Sequence, residues 1–149
     1  MRYAVVGFGT AGYHAVKTIR ECDADGEIDV YSNTERAPYN PMLTTYYAFG
    51  KLEFDGLFPF GDLETIQKEV SFKLRKETVK KVHAQEHTVE TEHGTETYDR
   101  ILISTGARAF APPVKGLEPE DAFLMRTVED SIRFKERLKK QDVKHAVVI

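Results

Sequence analysis

Apolar residues crowd into positions 2–6, Arg2-Tyr3-Ala4-Val5-Val6, and stop at Gly7. That is the pattern of a short buried strand ending in a sharp turn. The period then becomes helical: Ala11, Ala15, Ile19 and Cys22 recur on one face, and Asp23-Ala24-Asp25-Gly26 closes the helix. Glu27–Tyr31 predicts a second strand. Strand, glycine turn, helix and strand in that order form the βαβ unit of a parallel sheet.

Residues 33–41 read as a loop. Pro41 suits the first turn of a helix running to about Phe49, where its missing N–H is not needed. A connecting loop over 50–62 leads to a short helix over 62–69. Strands are expected at 70–75, 78–84 and 87–92, with a turn at His93-Gly94. The alternation in Thr78-Val79-Lys80-Lys81-Val82 and Thr88-Val89-Glu90 makes these an antiparallel meander. Arg100–Ser104 is another buried strand, turned by Thr105-Gly106. Pro112, Pro113, Gly116 and Pro119 mark residues 107–121 as a linker. Thr127 then caps a helix over about 128–140, with Glu129 and Asp130 in its first turn.

Val143–Ile149 reads as a further strand. Ala146-Val147-Val148-Ile149 nearly copies Ala4-Val5-Val6-Gly7, so it is expected to open a second βαβ unit with a glycine-rich turn after Ile149. The fold class is α/β: a Rossmann-like parallel sheet with a β-meander. Residues 1–115 form an incomplete first nucleotide-binding domain. Residues 116–149 supply a linker, a helix and the first strand of a truncated second one.

Composition narrows the class. Of 149 residues, 41% are hydrophobic and 30% charged, a normal mix for a soluble globular domain. The net charge of −3 leaves no basic surplus for nucleic acid. No apolar run is long enough to span a membrane, and the N-terminus has no signal-peptide pattern. Cys22 is the single cysteine, which excludes an internal disulfide, suits the cytoplasm and places that side chain in the helix core.

The chemistry lies in Gly7-Phe8-Gly9-Thr10-Ala11-Gly12, a GxGxxG between a strand and a helix. Gly7 permits the turn, Gly9 lets backbone approach a pyrophosphate, and Gly12 lets the helix pack against the sheet. The helix amides, Thr10 and Ala11 included, would receive the phosphate charge, and Thr10 adds a hydroxyl. The motif expects a carboxylate at the end of the second strand to bind ribose hydroxyls. Ser32 falls there, with Asn33, Glu35 and Arg36 after it. Ser32 fits a neutral hydrogen bond to ribose, Glu35 could swing in as the carboxylate instead, and Ser32, Asn33 and Arg36 together equally suit a ribose phosphate. That position alone does not separate FAD from NADP.

Tyr98-Asp99-Arg100-Ile101-Leu102-Ile103-Ser104-Thr105-Gly106 resembles the Tyr-Asp-x-(three hydrophobic)-Ala-Thr-Gly signature of the pyridine nucleotide–disulphide oxidoreductase superfamily. Pro38-Tyr39-Asn40-Pro41-Met42-Leu43-Thr44 resembles that family's Pro-Tyr-x-Arg-Pro-x-Leu-Ser segment beside the flavin. Thr78-Val79 resembles the meander position whose backbone meets adenine. Met125-Arg126-Thr127-Val128-Glu129-Asp130 resembles Leu-Arg-Thr-x-x-Asp, whose Arg contacts FAD in the ferredoxin-reductase branch.

The resemblance implies an FAD-dependent NAD(P)H oxidoreductase. Its FAD-binding residues would be Gly7, Gly9, Thr10, Ala11, Gly12, Ser32, Asn33, Pro41, Val79, Ser104, Thr105, Gly106 and Arg126. NADH or NADPH would be the electron donor, a small protein or small molecule the acceptor, and the full-length enzyme a cytoplasmic homodimer. Relatives return a later segment to complete the FAD domain.

Two departures stand out. The family Arg is missing between Asn40 and Pro41, and Thr45 takes the place of a Lys that supports the nicotinamide side in relatives. Asn40–Tyr46 also holds no cysteine, which places the chain nearer the ferredoxin, rubredoxin and nitrite reductase branch than the disulphide-reducing ones.

Other features carry less. His83, His87 and His93 form no fixed metal cluster. The aromatic stretch of Tyr46, Tyr47, Phe49, Phe54, Phe58 and Phe60 reads as packing, and Lys135–Lys140 as a solvated helix end. The competing readings are a catalytically inactive fragment and an NADP-binding dehydrogenase or nucleotide-sensing domain.

Overall fold

The computed structural model describes residues 1–118, 122–140 and 142–148. The chain divides into two compact units, one of Met1–Tyr39 with Phe58–Gly106, the other of Asn40–Leu57 with the residues from Ala107 onward.

The first unit is built on a parallel sheet. Its strands are β1 (Arg2–Val6), β2 (Glu27–Tyr31), β3 (Lys73–Arg75) and β7 (Arg100–Ile103), in the order β3-β2-β1-β7. β1 is central, with Val5 opposite Val30 on one side and Leu102 on the other. The side-chain period of two gives the sheet two faces, dry over β1 and β2; β7, expected to be buried, leaves Leu102 41% and Ile103 60% exposed. Val5, Ile28 and Val30 pack with Phe8, Tyr13 and Val16 of the helical layer. That layer holds α1 (Thr10–Cys22) and α3 (Leu63–Glu69), whose Ile66 is fully buried. Ala4, Val6 and Tyr31 pack on the other face with Val89, Tyr98, Val79 and Val82. There lies the antiparallel meander β4 (Lys81–His83), β5 (Thr88–Thr91) and β6 (Gly94–Thr97).

Five further expectations change. The 70–75 strand is not part of the meander: β3 runs parallel to β2, with Leu74 opposite Val30 and packed on the helical face. The third meander strand is β6, whose Gly-Thr-Glu-Thr sequence has no apolar alternation to betray it. Its pairing to β5, Val89 opposite Glu96, makes it a strand.

The buried stripe of α1 is Gly12, Tyr13 and Val16, with Ile19 partly buried. Positions 12, 16 and 19 (steps of four and three) suit a helical stripe as well as 11, 15 and 19 (steps of four and four), and the sheet lies under the former. Ala11, Ala15 and Ile19 line an open apolar recess of about 710 Å³ beside Leu102 and Ile103 of β7. Cys22 is exposed and not a core residue.

Finally, residues 143–148 form no strand. A strand exists through its pairing, and Val147 and Val148 are 86% and 97% exposed. Ile149 and Pro119 lie outside the described residues.

In the second unit Pro41–Leu43 is a 3₁₀ turn leading into α2 (Thr44–Ala48). Asn40 caps the turn by accepting from the Met42 amide at 3.0 Å. α2 packs against α4 (Val128–Lys139). Phe49 meets Phe134 edge-on, and the Lys135 ammonium sits 4.0 Å above the Tyr47 ring. Thr127 and Asp130 close a reciprocal capping box at the start of α4.

Candidate functional site

The site begins where β1 runs out. Gly7 adopts φ +102°, a conformation that L side chains rarely take. Its amide donates to the Tyr31 carbonyl at 2.9 Å, so the turn is tied to the end of β2. A Cβ on Gly7 would lie 2.5 Å from the Ser104 carbonyl oxygen, and one on Gly12 would lie 2.2 Å from the Gly7 oxygen. Both positions need glycine because backbone occupies the space.

Gly9 is different. A Cβ built there meets nothing within 4 Å. Space is open at the one position where the motif brings backbone to a pyrophosphate. Gly9 is also the N-cap of α1, and no side chain caps the helix. The first turn of α1 holds no acidic residue. The amides of that turn and the positive end of the helix dipole therefore present themselves to an anion without competition. Thr10 and Ala11 are exposed there.

β7 supplies the second wall. Ser104 continues the strand with its amide on the Val6 carbonyl at 2.8 Å. Its hydroxyl turns inward, donating to Gly7 O at 2.8 Å and lying 3.3 Å from Val6 O. Thr105 is exposed, and Gly106 adopts φ +70° with open space on its Cβ side.

Ser32, at the end of β2, is 6% exposed. Its amide bonds Arg75 O at 3.0 Å, and its hydroxyl is spent locally, donating to Thr34 O and accepting from the Thr34 amide. Glu35 is paired with Lys76 at 2.7 Å, and that hydrogen bond holds its carboxyl below the usual range. Asn33 is exposed beside them.

The fold thus gathers Gly7, Gly9, Thr10, Gly12 and Ser104 at one mouth, with Ser32 next to it through the Gly7–Tyr31 bond. Val79 belongs to the same unit and packs on the meander face. Pro41 and Arg126 belong to the second unit. There Pro41 opens the 3₁₀ turn, and the Arg126 guanidinium donates to Ala107 O at 3.4 Å.

Sequence reasoning missed a charged cluster under the sheet. Asp29, 6% exposed, accepts from Tyr98 Oη at 2.8 Å and pairs with Arg2 and Arg75 at 3.2 Å each. A carboxylate inside the apolar run Ile28-Asp29-Val30-Tyr31 was the available signal, because a buried charge demands partners.

The cradle fits a dinucleotide diphosphate: an uncapped helix start, an open glycine and two glycines packed against backbone. A family model described as "Pyridine nucleotide-disulphide oxidoreductase" matches residues 1–149. The NADH-dependent phenylglyoxylate dehydrogenase subunit epsilon of Aromatoleum evansii is 28% identical over 149 residues, covering 99% of this chain and 35% of that one. The NADH oxidase of Methanocaldococcus jannaschii is 28% identical over 156 residues, covering 100% and 35%. This chain thus spans about a third of the length of these curated relatives. Among solved structures, a NAD-dependent persulfide reductase from A. fulgidus superposes with TM-score 0.84 at 25% identity, covering 94% of this chain and 27% of that one. A water-forming NADH oxidase from Lactobacillus brevis shares the fold with TM-score 0.82 at 24% identity, covering 94% and 32%.

Proposed function

This chain belongs to the pyridine nucleotide-disulphide oxidoreductase family, and we propose that it supplies the adenine and pyrophosphate side of the FAD site in an NAD(P)H-dependent oxidoreductase. The observation that carries the reading is the pairing of an open Cβ position at Gly9 with an uncapped start to α1.

In this reading Gly9, Thr10 and Ala11 offer amides to the diphosphate, and Gly7 and Gly12 shape the turn. Ser104, Thr105 and Gly106 form the opposite wall. Ser32 and Asn33 stand at the ribose without a carboxylate, and the Val79 backbone meets adenine. Pro41 and Arg126, which belong to the second unit, are assigned to the cofactor by the family resemblance alone. Residues 1–115 form the FAD-binding part, and 116–149 lead into the NAD(P)H-binding part.

Bound there, FAD supplies the redox chemistry, taking a hydride equivalent from NADH or NADPH and passing electrons on. The chain's own residues bind and orient it. The whole protein's acceptor is a small protein or a small molecule; relatives named as a ferredoxin–NAD(+) reductase component and a rubredoxin-NAD(+) reductase favour the former. A cytoplasmic location accords with the single cysteine, and the homodimer rests on the family resemblance alone. Among the described residues no helix is long and apolar enough to cross a membrane.

The test is reconstitution. Purified protein is titrated with FAD and, in parallel, with NADPH, and binding is read by flavin fluorescence and calorimetry. Saturable FAD binding that ADP displaces supports the reading. NADPH binding without FAD binding would replace it with a dinucleotide-sensing or dehydrogenase module.

A further inference from the structure

We propose that the Ser104 hydroxyl is a positioning residue for the anion-binding loop. Its hydrogen bond to the Gly7 carbonyl fixes which face of that peptide meets the ligand. The proposal rests on the FAD reading for its ligand but not for its geometry.

Gly7 sits at φ +102°, and a glycine peptide there has little intrinsic preference holding it. Two bonds hold the residue instead, one on each of its two flanking peptides. Its N–H is fixed to Tyr31 O at 2.9 Å on β2, and its C=O accepts from Ser104 Oγ at 2.8 Å on β7. The carbonyl oxygen is packed inward: a Cβ on Gly12 would come within 2.2 Å of it and within 3.2 Å of Ser104 Oγ.

The peptide is planar and trans, so the Phe8 N–H points opposite to that buried carbonyl, away from Ser104. With the hydroxyl removed, the carbonyl loses its side-chain donor and the peptide is free to rotate. Rotation would turn a partial negative charge outward to where a diphosphate must lie.

The test compares Ser104→Ala and Ser104→Thr with the wild type. FAD and ADP affinities are read by calorimetry, and amide exchange at Phe8, Gly9 and Thr10 is read in the ligand-free protein. Removing one hydrogen bond that aligns the loop is expected to weaken both ligands by about 5-fold. It should also speed exchange at those three amides, while amides in α3 and the meander exchange as before. Threonine restores the hydroxyl and should recover both readouts.

Alanine that binds FAD as tightly as wild type, with unchanged exchange at the loop, overturns the proposal. So does a loss that threonine fails to rescue while the protein stays folded. If wild type binds neither FAD nor ADP, the functional reading fails separately. The exchange comparison then still decides the positioning role: faster loop exchange in the alanine variant sustains it, and unchanged exchange ends it.

Discussion

Tyr98 donates a 2.8 Å hydrogen bond to Asp29, joining the residue just after β6 to the middle of β2. Around that bond the Tyr31 hydroxyl lies 2.6 Å from that of Tyr98, and the Arg2 guanidinium sits 4.6 Å from the Tyr98 ring centre. Arg2 and Arg75 complete the charge balance from β1 and β3. One carboxylate therefore ties together three strands of the parallel sheet and the return from the meander. The glycine turn is anchored on the same strands, so its geometry depends on this cluster.

Replacing Asp29 by Asn removes the negative charge that faces Arg75, Arg2 and the Tyr98 hydroxyl, although Arg2 keeps Glu96 at 2.9 Å. Asp29→Asn is expected to destabilise the fold by about 1.5–3 kcal/mol, the range for hydrogen bonds to a charged group. Tyr98→Phe removes one hydrogen bond to a charged group and should cost about 1.5–3 kcal/mol. Urea denaturation followed by circular dichroism measures both.

The pH dependence follows from the same carboxylate. Burial works against its ionisation, but hydrogen bonds from Arg75 and Tyr98 and the charges of Arg75 and Arg2 outweigh it. Its folded pKa therefore lies below the usual carboxylate value. The unfolded chain takes up that proton first, so the stabilisation is present above the unfolded value, about pH 4. It is lost as pH falls through the folded one. The wild type should lose stability below about pH 4, and Asp29→Asn should show a shallower acid limb. Unfolding midpoints between neutral pH and strong acid give the comparison. An identical slope in both proteins would exclude Asp29 as the source.

Gly9 and Gly12 should fail differently. A Cβ on Gly12 meets backbone at 2.2 Å, so Gly12→Ala should lower both stability and nucleotide affinity. A Cβ on Gly9 meets only open space, and its φ of −91° suits any residue. Gly9→Ala should change stability by no more than about 1 kcal/mol and weaken FAD more than about 10-fold. Thermal unfolding and FAD titration on the two variants separate the cases.

Thr127 caps α4 by accepting from the Asp130 amide at 3.1 Å and donating its own amide to Asp130 at 2.8 Å. Thr127→Ala should cost about 1 kcal/mol. Faster hydrogen exchange should be confined to the first turn of α4.

The opening βαβ unit was legible because it has two independent markers: β-branched runs and glycines at fixed spacing. The α4 cap was legible for the same reason, since Thr127 and Asp130 specify each other. The buried stripe of α1 was not. Ala11–Ala15–Ile19 and Gly12–Val16–Ile19 fit a helix equally well, and only the position of the sheet chooses between them. β3 and β6 were misread because partner strands decide their sheet, and Gly-Thr-Glu-Thr carries no apolar period. At the site, the glycines were readable from the motif. The inward turn of Ser104 and the local closure of the Ser32 hydroxyl on Thr34 depend on contacts across the fold, which no spacing encodes.

The central claim is that a diphosphate sits on the amides that open α1. Titrating isotopically labelled protein with FAD and following backbone amide resonances tests it most directly. The account predicts large, saturable shifts at Gly9, Thr10, Ala11 and Gly12, reproduced by ADP. Saturating FAD that leaves those four amides in place and moves resonances elsewhere would contradict it.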